Sequence, residues 1–285
     1  MITVNSLSGG KTSSYIAAHY PADYNVFSLV RTNDKNCIFP DKKLRQVVSY
    51  KIGKEFIGTL EMDEIIYTML DLEQYIGQEI HWVSGRSFDE VIKRGDKVYL
   101  PNKVQRFCTI EMKIEPIFYW WAEVCNLEVC EMRIGFRANE MRRAKSMLDK
   151  CDEDGIQWMK GTWEKRKDGR NKWENVPYRK VSFPLIDDGV YKDNIERFWQ
   201  DKPVRFAYAN NCVGCFHRSS VMLKHMSNKC PSKFQWFIDQ EAKGYDSNKA
   251  RFKIETTYKQ IKDSFTQIEL FDDDFNECDS GYCGL

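Results

Sequence analysis

The chain has 285 residues, enough to bury a full core as one large domain or as one domain with an appendage. Its 43 Lys and Arg against 42 Asp and Glu leave a net charge of +1, which excludes a global electrostatic pull on nucleic acid and confines any such surface to a local patch. No apolar run reaches membrane-spanning length and no secretion leader is read, so the expectation is a soluble, cytoplasmic protein with no membrane partner, in which ten cysteines point to metal, cluster or redox work before a disulfide scaffold.

In chain order, residues 2–7 alternate as a strand, residues 8–11 hold two successive glycines, and residues 12–19 open a helix with small residues inward. A helix start exposes unpaired N–H groups and the positive end of the macrodipole. Paired glycines let backbone amides close around phosphate oxygens. Ser8, Gly9, Gly10, Lys11, Thr12 and Ser13 are therefore candidate phosphate contacts, although the spacing is neither that of the Walker loop nor that of the dinucleotide fingerprint, and a plain glycine-rich turn is the competing reading. Residues 24–31 read as a second strand ending in Thr32, Asn33 and Asp34, a polar trio beside the first loop if the sheet is doubly wound, and otherwise an ordinary turn. Helices are expected over 41–50, 61–75 and 87–94 and strands over 55–59 and 78–83, with Glu61, Asp63 and Glu64 as first-turn acids that complement a helix dipole. That alternation is the mark of a mostly parallel sheet covered on both faces.

Cys108 precedes an aromatic helix around residues 117–121, where a lone cysteine is ordinarily a small core residue. A strand over 127–135 leads into Arg137, Glu140 and Arg143, whose helical spacing places two guanidiniums and a carboxylate on one face. Such a set grips phosphate, or is a solvated charge pattern. Residues 156–181 break the rhythm: Asp168-Gly169 between two Trp-bearing arms predicts a β-hairpin with a basic tip, a candidate for tracking a nucleic-acid backbone or a solvated cap on the sheet. A strand at 182–186 and a helix at 192–200 are expected to follow. Cys212-x-x-Cys215 on a glycine turn brings two sulfurs to one point, and Cys230 before Pro231 is a third; Cys108 is the candidate fourth. A cluster, zinc and free thiols all remain open on this pattern.

The run Ser8-Gly9-Gly10-Lys11-Thr12-Ser13 resembles the S-G-G-x-D-S loop of the PP-loop ATPases, a superfamily that includes the phosphoadenosine phosphosulfate (PAPS) reductases. Cys108, Lys113 and Pro116 are similar to that family's pattern before a helix, and Gly135-x-Arg137-x-x-Glu140-x-x-Arg143 resembles its motif near the nucleotide phosphates. The cysteine order resembles that of the DNA phosphorothioation member. The resemblance implies a single Rossmann-like α/β domain of the adenine nucleotide alpha-hydrolase type over 1–200, with the hairpin inserted, and a cysteine-rich helical part over 201–285. It implies ATP or an adenylyl nucleotide in the loop, cleavage at the α phosphate, and Mg2+. Thr12 stands where ATP-using members have Asp. It also implies a [4Fe–4S] cluster on Cys108, Cys212, Cys215 and Cys230, with zinc as the alternative, and Lys11, Arg137 and Arg143 as catalytic cations oriented by Glu140. Thr32 and Asn33 are implied nucleotide contacts. Cys283-Gly284-Leu285 resembles the middle of the tail motif that carries the catalytic cysteine of sulfonucleotide reductases, with Tyr282 replacing its Glu; Cys278 and Cys283 as a redox pair is the alternative. Three functions follow: adenylation coupled to sulfur transfer, with a sulfur donor or thiol reductant protein as partner; a sulfonucleotide reductase; or a non-catalytic nucleotide- or DNA-associated module.

Overall fold

A computed structural model describes residues 1–243 and 250–265; Cys278 and Cys283 lie outside the described residues. The fold is mixed α/β, built on a six-stranded, mostly parallel sheet in the order β3-β2-β1-β6-β8-β7. Strands β1 (Thr3–Leu7), β2 (Tyr24–Ser28) and β3 (Ile80–Val83) run to one side, and β6 (Cys130–Arg133) and β8 (Asn171–Ser182) to the other, all parallel. Only β7 (Ile156–Lys165) is antiparallel, as the edge strand paired with β8. Chain order therefore reverses direction between β1 and β6. In open α/β sheets that switch point, at the strand carboxyl ends, is where a crevice opens.

Two layers cover the sheet. One face carries α1 (Lys11–His19), α2 (Lys42–Ile52) and α3 (Glu64–Ile76), which pack Ile16, Val48, Ile66, Met69 and Leu72 against Phe27 and Trp82. Asp41 caps α2 by accepting from Lys43 N–H (2.8 Å) and Leu44 N–H (3.0 Å), and Gly53 ends it at φ 62°, a conformation that favours glycine. The other face is built around the aromatic helix: the short α5 (Phe107–Thr109) passes through a π-helical turn, Ile110–Ile114, into α6 (Glu115–Val124), whose Phe118 and Trp121 pack with Tyr178 of β8. The third cluster joins α4 (Phe88–Ile92) to the carboxy-terminal helices, with Phe88, Cys108 and Met112 packed against Phe234, Trp236, Phe237 and Tyr258. The helices of the cysteine-rich part thus share a core with loops at the strand carboxyl ends.

Several element assignments change. α4 stops at Ile92 and is followed by the two-residue strands β4 (Lys93–Arg94) and β5 (Lys97–Val98). The expected strand at 55–59 is reduced to isolated bridges between Gly58 and both Thr32 and Ile38. The expected strand at 182–186 divides: Ser182 ends β8, and Pro184, already set for a helical first turn, starts α8 (Pro184–Asp187). Glu61 and Asp63 are not first-turn acids of α3, which starts at Glu64; both are ion-paired to lysines from distant elements. The remaining helices are α7 (Met141–Leu148), α9 (Lys192–Trp199), α10 (Ser220–Lys229), α11 (Pro231–Ala242) and α12 (Tyr258–Asp263).

Candidate functional site

A cavity of about 100 Å³ opens at the switch point. The end of β1, the following loop and the first turn of α1 supply Ser6, Leu7, Ser8, Gly10, Thr12 and Ser13; the segment after β6 supplies Ile134, Gly135 and Phe136 from the opposite side. Gly9 sits at φ 81°, which lets the chain turn from strand to helix within three residues, Ser8 to Gly10. A side chain at Gly10 would collide with the Asn210 amide, so bare backbone faces the cavity here. Gly10 caps α1 without a side-chain hydrogen bond and the first turn holds no acid. The amides at the start of α1 and the positive end of its dipole are thus left for a ligand, while Ser13 Oγ, donating to Gly10 O (3.1 Å) and accepting from Ser8 N–H (3.1 Å), fixes the loop.

Charge in the cavity is one-sided. Lys113 and Arg179 line it, Asn210 and Asn211 add amide groups, and no carboxylate is among its lining residues. The arrangement suits an anion with several oxygens. It offers Mg2+ no carboxylate donor, so that ion fits only as a companion of phosphate oxygens and water.

The anticipated phosphate cations are placed differently. Lys11 points into a neighbouring open groove and pairs with Glu196; both side chains are about one-third exposed, and such a pair contributes roughly 0–1 kcal/mol, so an anion at the loop can draw Lys11 away. Arg137, Glu140 and Arg143 form one buried group in which Glu140 pairs with Arg137 (3.1 Å) and with Arg143, but none of the three lines the cavity. Their link to it is Phe136, a wall residue on which the Arg143 guanidinium stacks at 4.2 Å. Thr32 and Asn33 are also outside the lining: Thr32 Oγ1 donates to Asp89 (2.7 Å) and Asn33 N–H to the same carboxylate (2.8 Å), tying this loop to α4.

A second, smaller cavity of about 30 Å³ adjoins the first and is lined by Cys108, Cys212, Cys215 and His217 with Phe88, Phe237 and Phe252. Its glycine is required by packing: a Cβ at Gly214 would lie 2.5 Å from the Phe237 ring. Arg218, 1% exposed, holds the cysteine loop from beneath, donating to the carbonyls of Asn210 and Cys212. Burial and the nearby cations Arg106, Lys103 and Lys253 push the His217 imidazole down to about 4, so it is neutral at pH 7.

Three of the four thiols expected to share a metal surround this cavity; Cys230 does not line it, and burial raises its thiol above the usual cysteine range. Among the described residues no group of three or more His, Cys, Asp or Glu side chains is gathered to hold a metal ion. The donor types suit a cluster or zinc, with Cys108, Cys212 and Cys215 around one cavity and Cys230 outside its lining.

Lys113 belongs to both cavities. The π-helical turn delivers it there, and Ser28 Oγ pins that turn by donating to Met112 O (2.8 Å). Its Nζ pairs at 2.9 Å with Glu61, which is 1% exposed; Lys233 donates to Glu61 O (2.6 Å), and Glu61 bridges to the backbone of Cys212. The anion cavity and the cysteine loop are therefore joined through one buried ion pair. Among cavity residues, Arg179, Ser28, Asn210 and Asn211 carried no motif signal, although Asn211 stands next to Cys212 and takes φ 67°. No protein-family model, no curated protein and no solved structure matches this chain. Among the described residues no helix is long and apolar enough to cross a membrane.

Proposed function

We propose that the chain is an enzyme of the PP-loop, PAPS-reductase type that binds ATP or a related adenylyl nucleotide at the switch-point cavity and couples cleavage at the α phosphate to sulfur chemistry in the adjoining thiol cavity. The observation that carries this reading is Lys113, lining both cavities from one ion pair. In adenylation, the acceptor oxygen attacks the α phosphorus, the bond to the β-phosphate oxygen breaks, and pyrophosphate leaves with the electron pair. The amides at the start of α1, Lys113 and Arg179 would stabilise the charge growing on pyrophosphate, with Lys11 recruited from Glu196. The buried arginine pair acts one layer out, holding Phe136 through Glu140 and Arg143. Sulfide-level sulfur from an external donor, held at the cysteine loop beside His217, would then attack the activated acceptor, forming the new bond to sulfur as AMP leaves with the bonding electron pair.

A second reading, the sulfonucleotide reductase, is favoured by the absence of a carboxylate from the cavity lining, because adenylyl sulfate needs no Mg2+ companion. Cys283 would be its nucleophile, taking the sulfonate as AMP leaves, and an external thiol would supply the second sulfur, releasing sulfite as the two thiols are oxidised to a disulfide. Pyrophosphate release from ATP by anaerobically purified protein, with DNA, tRNA or adenylyl sulfate present and an external dithiol as reductant, separates the two. Acceptor-dependent release that disappears in Gly10→Asp supports adenylation. Sulfite from adenylyl sulfate without ATP consumption moves the assignment to the reductase, and neither product removes both. Iron and sulfide analysis of the same preparation reports on the [4Fe–4S] expectation, with zinc content as its counterpart.

A further inference from the structure

Tryptophan is distributed unevenly over the surface. Of eight in the chain, Trp82, Trp120, Trp121, Trp199 and Trp236 are buried, and the three exposed ones, Trp158 (48%), Trp163 (43%) and Trp173 (53%), all lie on the β7–β8 hairpin. Charge follows the same segregation. Residues 156–182 hold eight Lys and Arg against three Asp and Glu, a surplus of five in a chain whose total is +1.

The strand register orders these groups. β8 pairs with β6 only from Arg179 to Ser182, so the longer part of the hairpin has no partner from β6. Its inner face is covered, with half-buried Met159 packed against the core cluster and Trp163 against Phe118 and Tyr119 of α6. On the outer face, Trp158 and Lys160 alternate along β7, and Trp173 of β8 stands opposite Thr162, so Trp158, Lys160 and Trp173 share one side. Four residues of strand separate the two indole rows, about 13 Å. Trp158 is held in place by its N–H donating to Asp152 (2.5 Å). All three acids of the arm are engaged within it, Glu164 and Glu174 with Lys172 and Asp168 with Arg170. Lys160, Lys165, Arg166 and Lys167 form no ion pair among the described residues and are exposed.

From this juxtaposition we propose that the outer face of the β7–β8 hairpin binds single-stranded nucleic acid, bases stacking on Trp158 and Trp173 and phosphates meeting Lys160 and the basic tip. An indole offers a π-face to any base, and the unengaged cations track the backbone, so the contact is tolerant of sequence and sensitive to salt. A membrane surface fits less well. Its insertion would need apolar residues at the tip, where Arg166, Lys167, Asp168, Gly169 and Arg170 stand. The proposal is independent of what occupies the cavities.

The test is anisotropy of fluorescein-labelled 20-mers of dT and rU with the full chain across a salt series, with intrinsic tryptophan quenching read in parallel. A duplex of equal length, inorganic polyphosphate and anionic vesicles are the competitors. Expected are single-strand binding with tryptophan quenching, a loss of roughly tenfold in Trp173→Ala, and a salt slope shallower by about 2 in the triple variant Lys165→Gln, Arg166→Gln, Lys167→Gln. Both sets of side chains are exposed, and circular dichroism checks that the variants fold. Equal competition by polyphosphate or duplex, unchanged affinity in Trp173→Ala, binding to vesicles alone, or no binding to either oligonucleotide would each overturn the proposal.

Discussion

The two adjoining cavities hold their ligand-facing groups in opposite ways. At the switch point the loop offers main chain, amides at the start of α1 kept bare by Gly10 with the adjacent turn permitted by Gly9 at φ 81°, beside the side chains of Lys113 and Arg179. The thiol cavity is lined by side chains, three sulfurs and an imidazole set among aromatic rings and held by packing. The loop of the first needs only a short local sequence, and Lys113, Arg179 and Asn210 reach it from elsewhere in the chain. The second needs α4, the π-helical turn, the cysteine loop and α11 to converge. Lys113 and Glu61 are where the two designs meet.

The strongest way to break the comparison is therefore to cut that link. Lys113→Met leaves Glu61 buried without its cation, and removal of one partner from a buried pair costs about 3–5 kcal/mol. Urea unfolding should show that loss, and Glu61→Gln added to Lys113→Met should recover part of it. If the single variant is as stable as the parent, the pair does not join the cavities. Next in size is Gly10→Asp, which brings both a clash with Asn210 and a negative charge to the loop before α1. ATP or pyrophosphate affinity should fall on the order of 100-fold, roughly 3 kcal/mol, while the labelling rate of Cys212 and Cys215 is unchanged. Equal loss at both cavities would mean that they form one site.

Gly214→Ala reverses the pattern. Its methyl meets the Phe237 ring at 2.5 Å, an overpacking that typically costs about 1–3 kcal/mol. Thiol labelling should change while pyrophosphate affinity stays within twofold, about 0.4 kcal/mol; an equal fall in both would show that the cysteine loop shapes the anion cavity. The same contrast governs what was legible. The alternation of strand and helix, the glycine loop and the hairpin turn are written in local periodicity and backbone preference, and each stands where residues 2–19 and 156–181 indicate. Lys113 meeting Glu61, 52 positions away, and Arg179 reaching the cavity beside the loop before α1 are contacts between distant parts of the chain, which no local pattern encodes. Glu61 reads locally as a helix-start acid, and only the tertiary fold shows it paired three residues before α3. Spacing alone leaves Arg137 and Arg143 open between a phosphate grip and a solvated charge pattern, and only the resemblance makes them phosphate ligands; the fold pairs both with Glu140, the carboxylate expected to hold them, away from the cavity lining.

The smallest effect tests how the thiol cavity is closed. Glu241 of α11 accepts N–H groups from Phe252 (3.3 Å), which lines that cavity, and Tyr258 (2.7 Å), whose hydroxyl donates to Gly214 O (2.9 Å). Burial raises the Glu241 carboxyl above its usual range, and the two N–H donors and Arg251 only partly oppose this. A carboxyl with a raised folded-state pKa gives a contribution that is full below the unfolded value, near 4.5. That contribution declines as pH rises through the folded value, because the unfolded chain releases the proton first. Glu241→Gln cannot titrate. The stability of the parent relative to this variant should thus be greatest at acidic pH and shrink toward neutrality, read by urea unfolding in matched buffers. A difference that grows with pH would mean that the two N–H bonds outweigh desolvation, and that the 252–258 segment is held by a charged clamp rather than by packing around a neutral one.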